Sequence, residues 1–249
     1  MKRNVDIINN QIKLENSQNS IAKNFLIASV VFGILMMLPS SGIEYFEKAF
    51  ALSFISMWLF ISSLVIAWMF RGRAEKLQSL ISGESLLANW DLDIDMKKEY
   101  VNYFFTEEKS KNFAIFSVIS IMFVLVFGIF ILVIDDGKLF MFIVMISFIL
   151  FIASFAFGMP YYYRNSNMKG DGKILIGAKY AYINGYFHNW DYPLSGLSKI
   201  KIIKKPFYGI KLTYYYTDGT LRHSEEIYIP ANKDIDLENL KEKLEAGNS

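Results

Sequence analysis

Apolar positions come in four blocks, at residues 21–38, 49–70, 113–134 and 139–159, and polar segments separate them. A helix needs about 20 apolar residues to cross ~30 Å of hydrocarbon, so each block predicts a transmembrane helix. The third and fourth blocks hold no charged residue. Pro39-Ser40-Ser41-Gly42 ends the first block, and Asp135-Asp136-Gly137-Lys138 joins the third to the fourth. With connections this short, the spans predict two antiparallel hairpins, residues 21–70 and 113–159. Ser29 with Gly33, Ser63 with Ala67 and Ser154 with Gly158 are small pairs spaced for close helix approach, which predicts packing within one four-helix bundle. No ionisable residue sits at mid-depth, which argues against an ion pathway or proton relay.

Lys and Arg set the orientation. The two hairpin connections hold only Lys48 and Lys138. The arm at residues 1–20 carries Lys2, Arg3 and Lys13, with Lys23 just beyond, and Arg71, Arg73, Lys76, Lys109 and Lys111 fall in the segment 71–112. Arg164 and Lys169 follow the last span. The expected arrangement is a multi-pass protein of the plasma or inner membrane with both termini and the central segment in the cytoplasm. Trp68 and the run Tyr161-Tyr162-Tyr163 fit the aromatic belt at the membrane surface.

The central segment offers three alternating acids, Asp91, Asp93 and Asp95, which match the first half of a calcium loop. Met96 stands where that loop needs Gly and Asn102 where it needs a bidentate Glu, so calcium is rejected. A cap explains the acids better: Asp93 or Asp95 opens a helix whose apolar stripe includes Met96, Tyr100 and Phe104. Leu77, Leu80 and Ile81 extend the second span, and Gly83 stops it. The expectation for residues 71–112 is a helical linker, two amphipathic helices joined near Trp90.

After Met168 the period changes from helical to alternating. Asn184-Gly185 and Asp218-Gly219 are hairpin signals between β-prone runs. Pro230 stops the strands, and Asp234 or Asp236 caps a last helix carrying Leu237, Leu240 and Leu244 on one face. Residues 170–249 therefore predict a small α+β domain, an antiparallel sheet or barrel closed by a C-terminal helix. Lys169-Gly170-Asp171-Gly172-Lys173 lacks the spacing of a phosphate loop and reads as a flexible joint.

The run from Ile174 through AYINGYFHNWDYPLSGLSKIKII, then YGIKLTYYYTDGT, EEIYIP and the last helix, resembles the pleckstrin-homology-like (PH-like) domain of bacterial membrane proteins of unknown function. ANWDLDIDMKKEYVNYFFTEEKSKN resembles the linker some of them carry between membrane hairpins. The resemblance implies a fold and a cytoplasmic module, and no known activity; the preferred reading is a binding or scaffolding module, and Trp190 is expected in the core of the sheet. The basic pattern that binds phosphoinositides in eukaryotic members is missing from residues 173–190.

Composition narrows the chemistry. There is no cysteine, only two histidines, and a formal net charge of +2. Thiol chemistry is excluded, nucleic-acid binding is not implied, and no cofactor or metal set is expected. His223 with Glu225 shares a strand beside a turn, and His188 reads as a packing or capping residue. No enzyme is expected. The candidate contact residues are Lys199, Lys201, Lys204 and Lys205: Ile200 and Ile202 alternate with the first two, so the lysines face outward. Such a row either protects a sheet edge or meets anionic lipid headgroups or another membrane protein. The alternative to a binding module is an accessory subunit of a transporter or secretion complex, contacting partners through its spans. A second copy of the chain is compatible with either reading.

Overall fold

The computed structural model describes residues 13–248. Lys2 and Arg3, used above for orientation, lie outside them. Asn16 opens α1 (Ser17–Met37) by accepting from the Asn19 amide, and a single 3-10 turn at Leu38–Ser40 ends it around Pro39. α2 (Phe50–Ile81) returns beside it. Small residues make this contact close: Ser29, Ser56, Ser63 and Ala67 are buried, and a Cβ at Gly33 would already touch the Phe60 ring at 3.5 Å.

Asp93 caps α3 (Ile94–Val133), its carboxylate accepting from the Met96 amide at 2.7 Å. α4 (Lys138–Lys169) follows after a left-handed Gly137 with φ 81°. All four helices are long and apolar enough to cross a membrane. The α3–α4 contact is aromatic instead of small: Phe123 and Phe127 meet Phe148, Phe116 meets Phe157, and Phe105 meets Tyr161. Ser154 and Gly158 face outward, with open space beside Gly158. The expected single bundle is not formed. α1 pairs with α2 and α3 with α4, and the two hairpins hardly touch each other.

The central segment differs from its helical expectation. α2 does run on past Phe70 to Ile81, burying Leu77 and Leu80, and Gly83 ends it at φ +87°. Leu86–Asp91, however, is a strand, β1, paired antiparallel with β2 (Lys173–Gly177). Its sequence, LLANWD, holds no β-branched residue and a single strand former, Trp90, beside Ala, Asn and Asp, so little local marks it as strand. Its partner lies on the far side of the second hairpin. A bulge between Leu86 and Ala88 turns Leu86 toward α2 and Ala88 into the main core.

β3 (Tyr180–Ile183) and β4 (Tyr186–Asn189) complete a sheet of order β1-β2-β3-β4. The two-residue turn between them has Asn184 at φ 49° and Gly185 at φ 101°, the mirror-type turn that such hairpins prefer. A second sheet holds β5 (Ser195–Ile203), β6 (Gly209–Asp218) and β7 (Leu221–Pro230) in that order. Asp236 caps α5 (Leu237–Ala246), which buries Leu237, Leu240 and Leu244.

The first sheet is covered on both faces. Ile174, Ile176, Ala181 and Ile183 share a core with Ile210, Leu212, Ile227 and Ile229 of the second sheet and with the leucines of α5. On its other face, Leu175, Tyr182 and Phe187 pack against Leu77 and Leu80 of α2. Tyr100 and Val101 of α3 add to the main core. The folded unit thus spans both sides of the second hairpin.

The segment read as a flexible joint is pinned. Gly170 accepts from Lys97, Gly172 donates to the Asn184 carboxamide at 3.0 Å, and Asp171 accepts from the Tyr182 hydroxyl at 2.7 Å. A Cβ at Gly170 would sit 2.4 Å from Asn184 oxygen atoms, so only glycine fits there.

Candidate functional site

β5 is an edge strand, and its alternation is as the sequence predicts: Ile200 and Ile202 pack against the core, and Lys199 and Lys201 are exposed. Lys204 and Lys205 are exposed beyond the strand's end. None of the four forms an ion pair among the described residues. Lys211 on the neighbouring strand does, at 2.6 Å from Glu226. That hydrogen bond raises the Lys211 pKa above its ordinary value and lowers that of Glu226. The four lysines are therefore chemically available, whereas Lys211 is spent on the fold.

The two ends of β5 have different neighbours. Its start follows the β4–β5 loop, where Tyr192 lines a groove with Trp68 and Met69 at the end of the apolar part of α2. Its far end lies roughly 26 Å along the strand at ~3.3 Å per residue. There Phe207 meets Tyr100 and Tyr103 at ring-centroid distances of 6.0 and 5.9 Å. Tyr100 precedes the apolar part of α3, which starts at Phe113, by roughly 20 Å of helix at ~1.5 Å per residue. Lys204 and Lys205 thus stand well away from the apolar segments.

The junction between α2 and the first sheet concentrates charge. Arg73 donates to the Gln18 carboxamide at 2.9 Å and to the Phe187 carbonyl at 2.8 Å, and lies over the Phe70 and Phe187 rings. Lys76 reaches the Asp191 carboxylate at 3.0 Å and its carbonyl at 2.9 Å, and Lys179 reaches the same carboxylate at 3.1 Å. Burial alone would raise the Asp191 pKa. Hydrogen bonds from the two lysines outweigh it and hold the carboxyl below its ordinary value. His188 moves the other way for a base: burial first, then the Arg73 charge, push it down to about 4 against a weaker opposing pull from Glu225.

Between α2 and the β4–β5 loop lies a groove of about 480 Å³, lined by Trp68, Arg71, Gly72, Arg73, Lys76 and Asn189 among others. Asn189 accepts from the Asp191 amide at 3.0 Å through its Oδ1, which fixes the carboxamide's orientation. Its Nδ2 is buried and finds no acceptor among the described residues. A pocket of about 590 Å³ lies on the α1 side of the same helix, sharing Trp68, Arg71 and Glu75. The run Trp68, Arg71, Arg73, Lys76 was visible in the sequence as the end of a span. Its closure by Asn189 and Tyr192 was not, since nothing local joins residues so far apart.

The histidines take no part in a ligand set. His223 stacks on Tyr216 at 5.3 Å, and Glu225 accepts from the Tyr214 and Tyr216 hydroxyls. No group of three His, Asp or Glu residues among those described is placed to hold a metal. No family model, curated protein or solved structure matches this chain.

Proposed function

We propose that the chain is a multi-pass membrane protein with both termini in the cytoplasm, presenting a PH-like binding or scaffolding module at the inner leaflet and catalysing no reaction. The observation that carries this reading is the arrangement of four strands, three strands and a closing helix, fastened directly to the ends of apolar helices. A four-plus-three antiparallel pair of sheets with a C-terminal helix is similar to the PH-like architecture. A fold names no ligand, and the surface chemistry must do so. What supports a docking role is the row Lys199, Lys201, Lys204 and Lys205, unpaired on an exposed edge. Because the row runs away from the apolar segments, its occupant is better read as an acidic surface of another membrane protein than as the lipid headgroups of the bilayer the chain crosses.

A second reading is favoured by one feature. The two hairpins hardly touch each other and expose large apolar side chains, such as Leu132 at 81% exposure, which lipid or the other subunits of a larger membrane assembly would cover. Site-specific photocrosslinking in native membranes separates the two. Crosslinkers at Lys201 and Lys205 capture a discrete partner if the sheet edge is the contact, and crosslinkers at Leu132 and Phe151 do so if the spans are. Capture at the spans alone would replace the module reading with the subunit reading.

A further inference from the structure

We propose that the groove between α2 and the β4–β5 loop binds the phosphate of an anionic phospholipid headgroup. This deepens the membrane reading above and depends on it. Depth is the first argument. The apolar part of α2 ends at Phe70, its first cation is Arg71, and Trp68 and Met69 line the groove. Tryptophan prefers the level of the headgroups, so a groove built on Trp68 opens where lipid phosphates lie.

The donors are the second argument. Arg71, Arg73 and Lys76 line the groove with Glu75, and Lys76 is already paired with the Asp191 carboxylate, which leaves the two arginines as the available cations. Arg71 is only loosely held, 3.6 Å from Glu75 and largely exposed. Arg73 has two N–H groups engaged, on Gln18 and Phe187, out of the five a guanidinium offers. Cations with spare donors at a headgroup-level pocket are what lipid phosphates bind.

Asn189 supplies an independent observation. The residue lines the groove, its Oδ1 is committed to the Asp191 amide, and its Nδ2 is buried with no acceptor among the described residues. Buried donors are nearly always paired, so this one is a spare donor that a rotation of the side chain would offer to a phosphate oxygen in the groove. The volume of about 480 Å³ suits a headgroup. A larger side chain at Gly72 has room to project, since a Cβ there would meet nothing within 4 Å. Tyr192, with Lys76 5.2 Å from its ring centroid, closes the loop side.

The test uses the full chain in detergent, with native mass spectrometry counting phosphatidylglycerol against phosphatidylcholine retained. Phosphatidylglycerol should be retained preferentially. Gly72→Leu fills the groove with a better helix former, and Asn189→Asp keeps the acceptor while replacing the unpaired donor with a negative oxygen. Each should lower phosphatidylglycerol retention by about tenfold, the loss of roughly one charge-assisted hydrogen bond, and Gly72→Leu should do so with an unchanged melting curve. The pair Lys199→Gln and Lys201→Gln should leave retention intact. Equal retention of the two lipids by the unaltered chain overturns the site, as does full retention by both groove variants. Displacement of the lipid by inorganic phosphate would assign the groove to a soluble phosphate and overturn the lipid assignment. Carbonate washing of native membranes keeps the two readings apart. A chain that resists extraction yet shows no lipid preference loses only the groove, and one that washes off loses the membrane reading as well.

Discussion

The indole of Trp90 donates to the carbonyl of Pro230, 2.9 Å away across 140 residues of chain. Trp90 sits in β1, before the second hairpin, and Pro230 ends β7, after it. The Leu92 amide donates to the Gly172 carbonyl at 2.8 Å, so the two chain ends that enclose the hairpin meet at the sheet. The sheet domain is therefore one folded unit interrupted by α3 and α4.

From this, residues 170–248 alone are expected not to fold cooperatively. They lack β1, whose Ala88 is 1% exposed, and they lack the leucines of α2 that cover Leu175, Tyr182 and Phe187. A chain of residues 71–106 joined by a short Gly-Ser linker to residues 163–248 restores these elements. The junction is close because Arg164 donates to the Asn102 side chain at 3.2 Å. Urea unfolding followed by circular dichroism should give a single sigmoidal transition for the joined chain only. A cooperative transition for residues 170–248 would show that β1 is dispensable.

What was legible in the sequence follows from how local each signal is. The spans declared themselves by length, the Asn184-Gly185 turn by the two residues that tolerate positive φ, and the Asp93 and Asp236 caps by their place before an apolar stripe. β1 was hidden because its residues are poor strand formers taken alone and its partner lies beyond the second hairpin. The joint at Gly170 was misread as flexible because the residues that pin it, Lys97 and Asn184, come from elsewhere in the chain. The lysine row was readable from alternation, but its direction relative to the apolar helices was not. The groove at Asn189 needed both α2 and the β4–β5 loop in place.

Trp190 is the clearest test of the core. It is 2% exposed, and its indole donates to the Ala178 carbonyl at 3.1 Å. Trp190→Ala should cost ~3–5 kcal/mol, a large part of the stability of a small domain. Trp190→Phe keeps most of the volume and should cost less, chiefly the hydrogen bond. In the full chain, thermal melting is expected to rank wild type above Trp190→Phe above Trp190→Ala. Equal melting temperatures would mean that the side chain does not hold the core together.

Orientation can be read by thiol labelling, since the chain has no cysteine of its own. Ser41 and Asp136 are exposed in the two hairpin connections, and Glu84 is exposed beyond the end of α2. Ser41→Cys and Asp136→Cys should react with a membrane-impermeant maleimide in intact cells, and Glu84→Cys only after the membrane is opened. The reverse pattern would invert the topology, and labelling of all three in intact cells would rule out a cytoplasmic sheet domain.

His188 gives the sheet domain an expected sensitivity to acid. It is held neutral, with its pKa pushed from an ordinary 6.5 down to about 4 by burial and then by Arg73, while Glu225 pulls weakly the other way. Because the folded value lies below the unfolded one, unfolding takes up a proton between them. The stability that neutral His188 represents is fully present above pH 6.5 and is lost as pH falls toward 4. At 1.36 kcal/mol per unit the loss is at most about 3 kcal/mol. The Asp191 and Glu226 carboxyls are held below their ordinary values of 3.8 and 4.5, so their own losses set in only at the acid end of this range. Intrinsic tryptophan melts of the full chain in detergent should show the melting temperature falling across that range. His188→Gln, which carries no titrating group, should flatten the curve relative to wild type. Parallel curves for the two proteins would mean that His188 ionises equally in the folded and unfolded states.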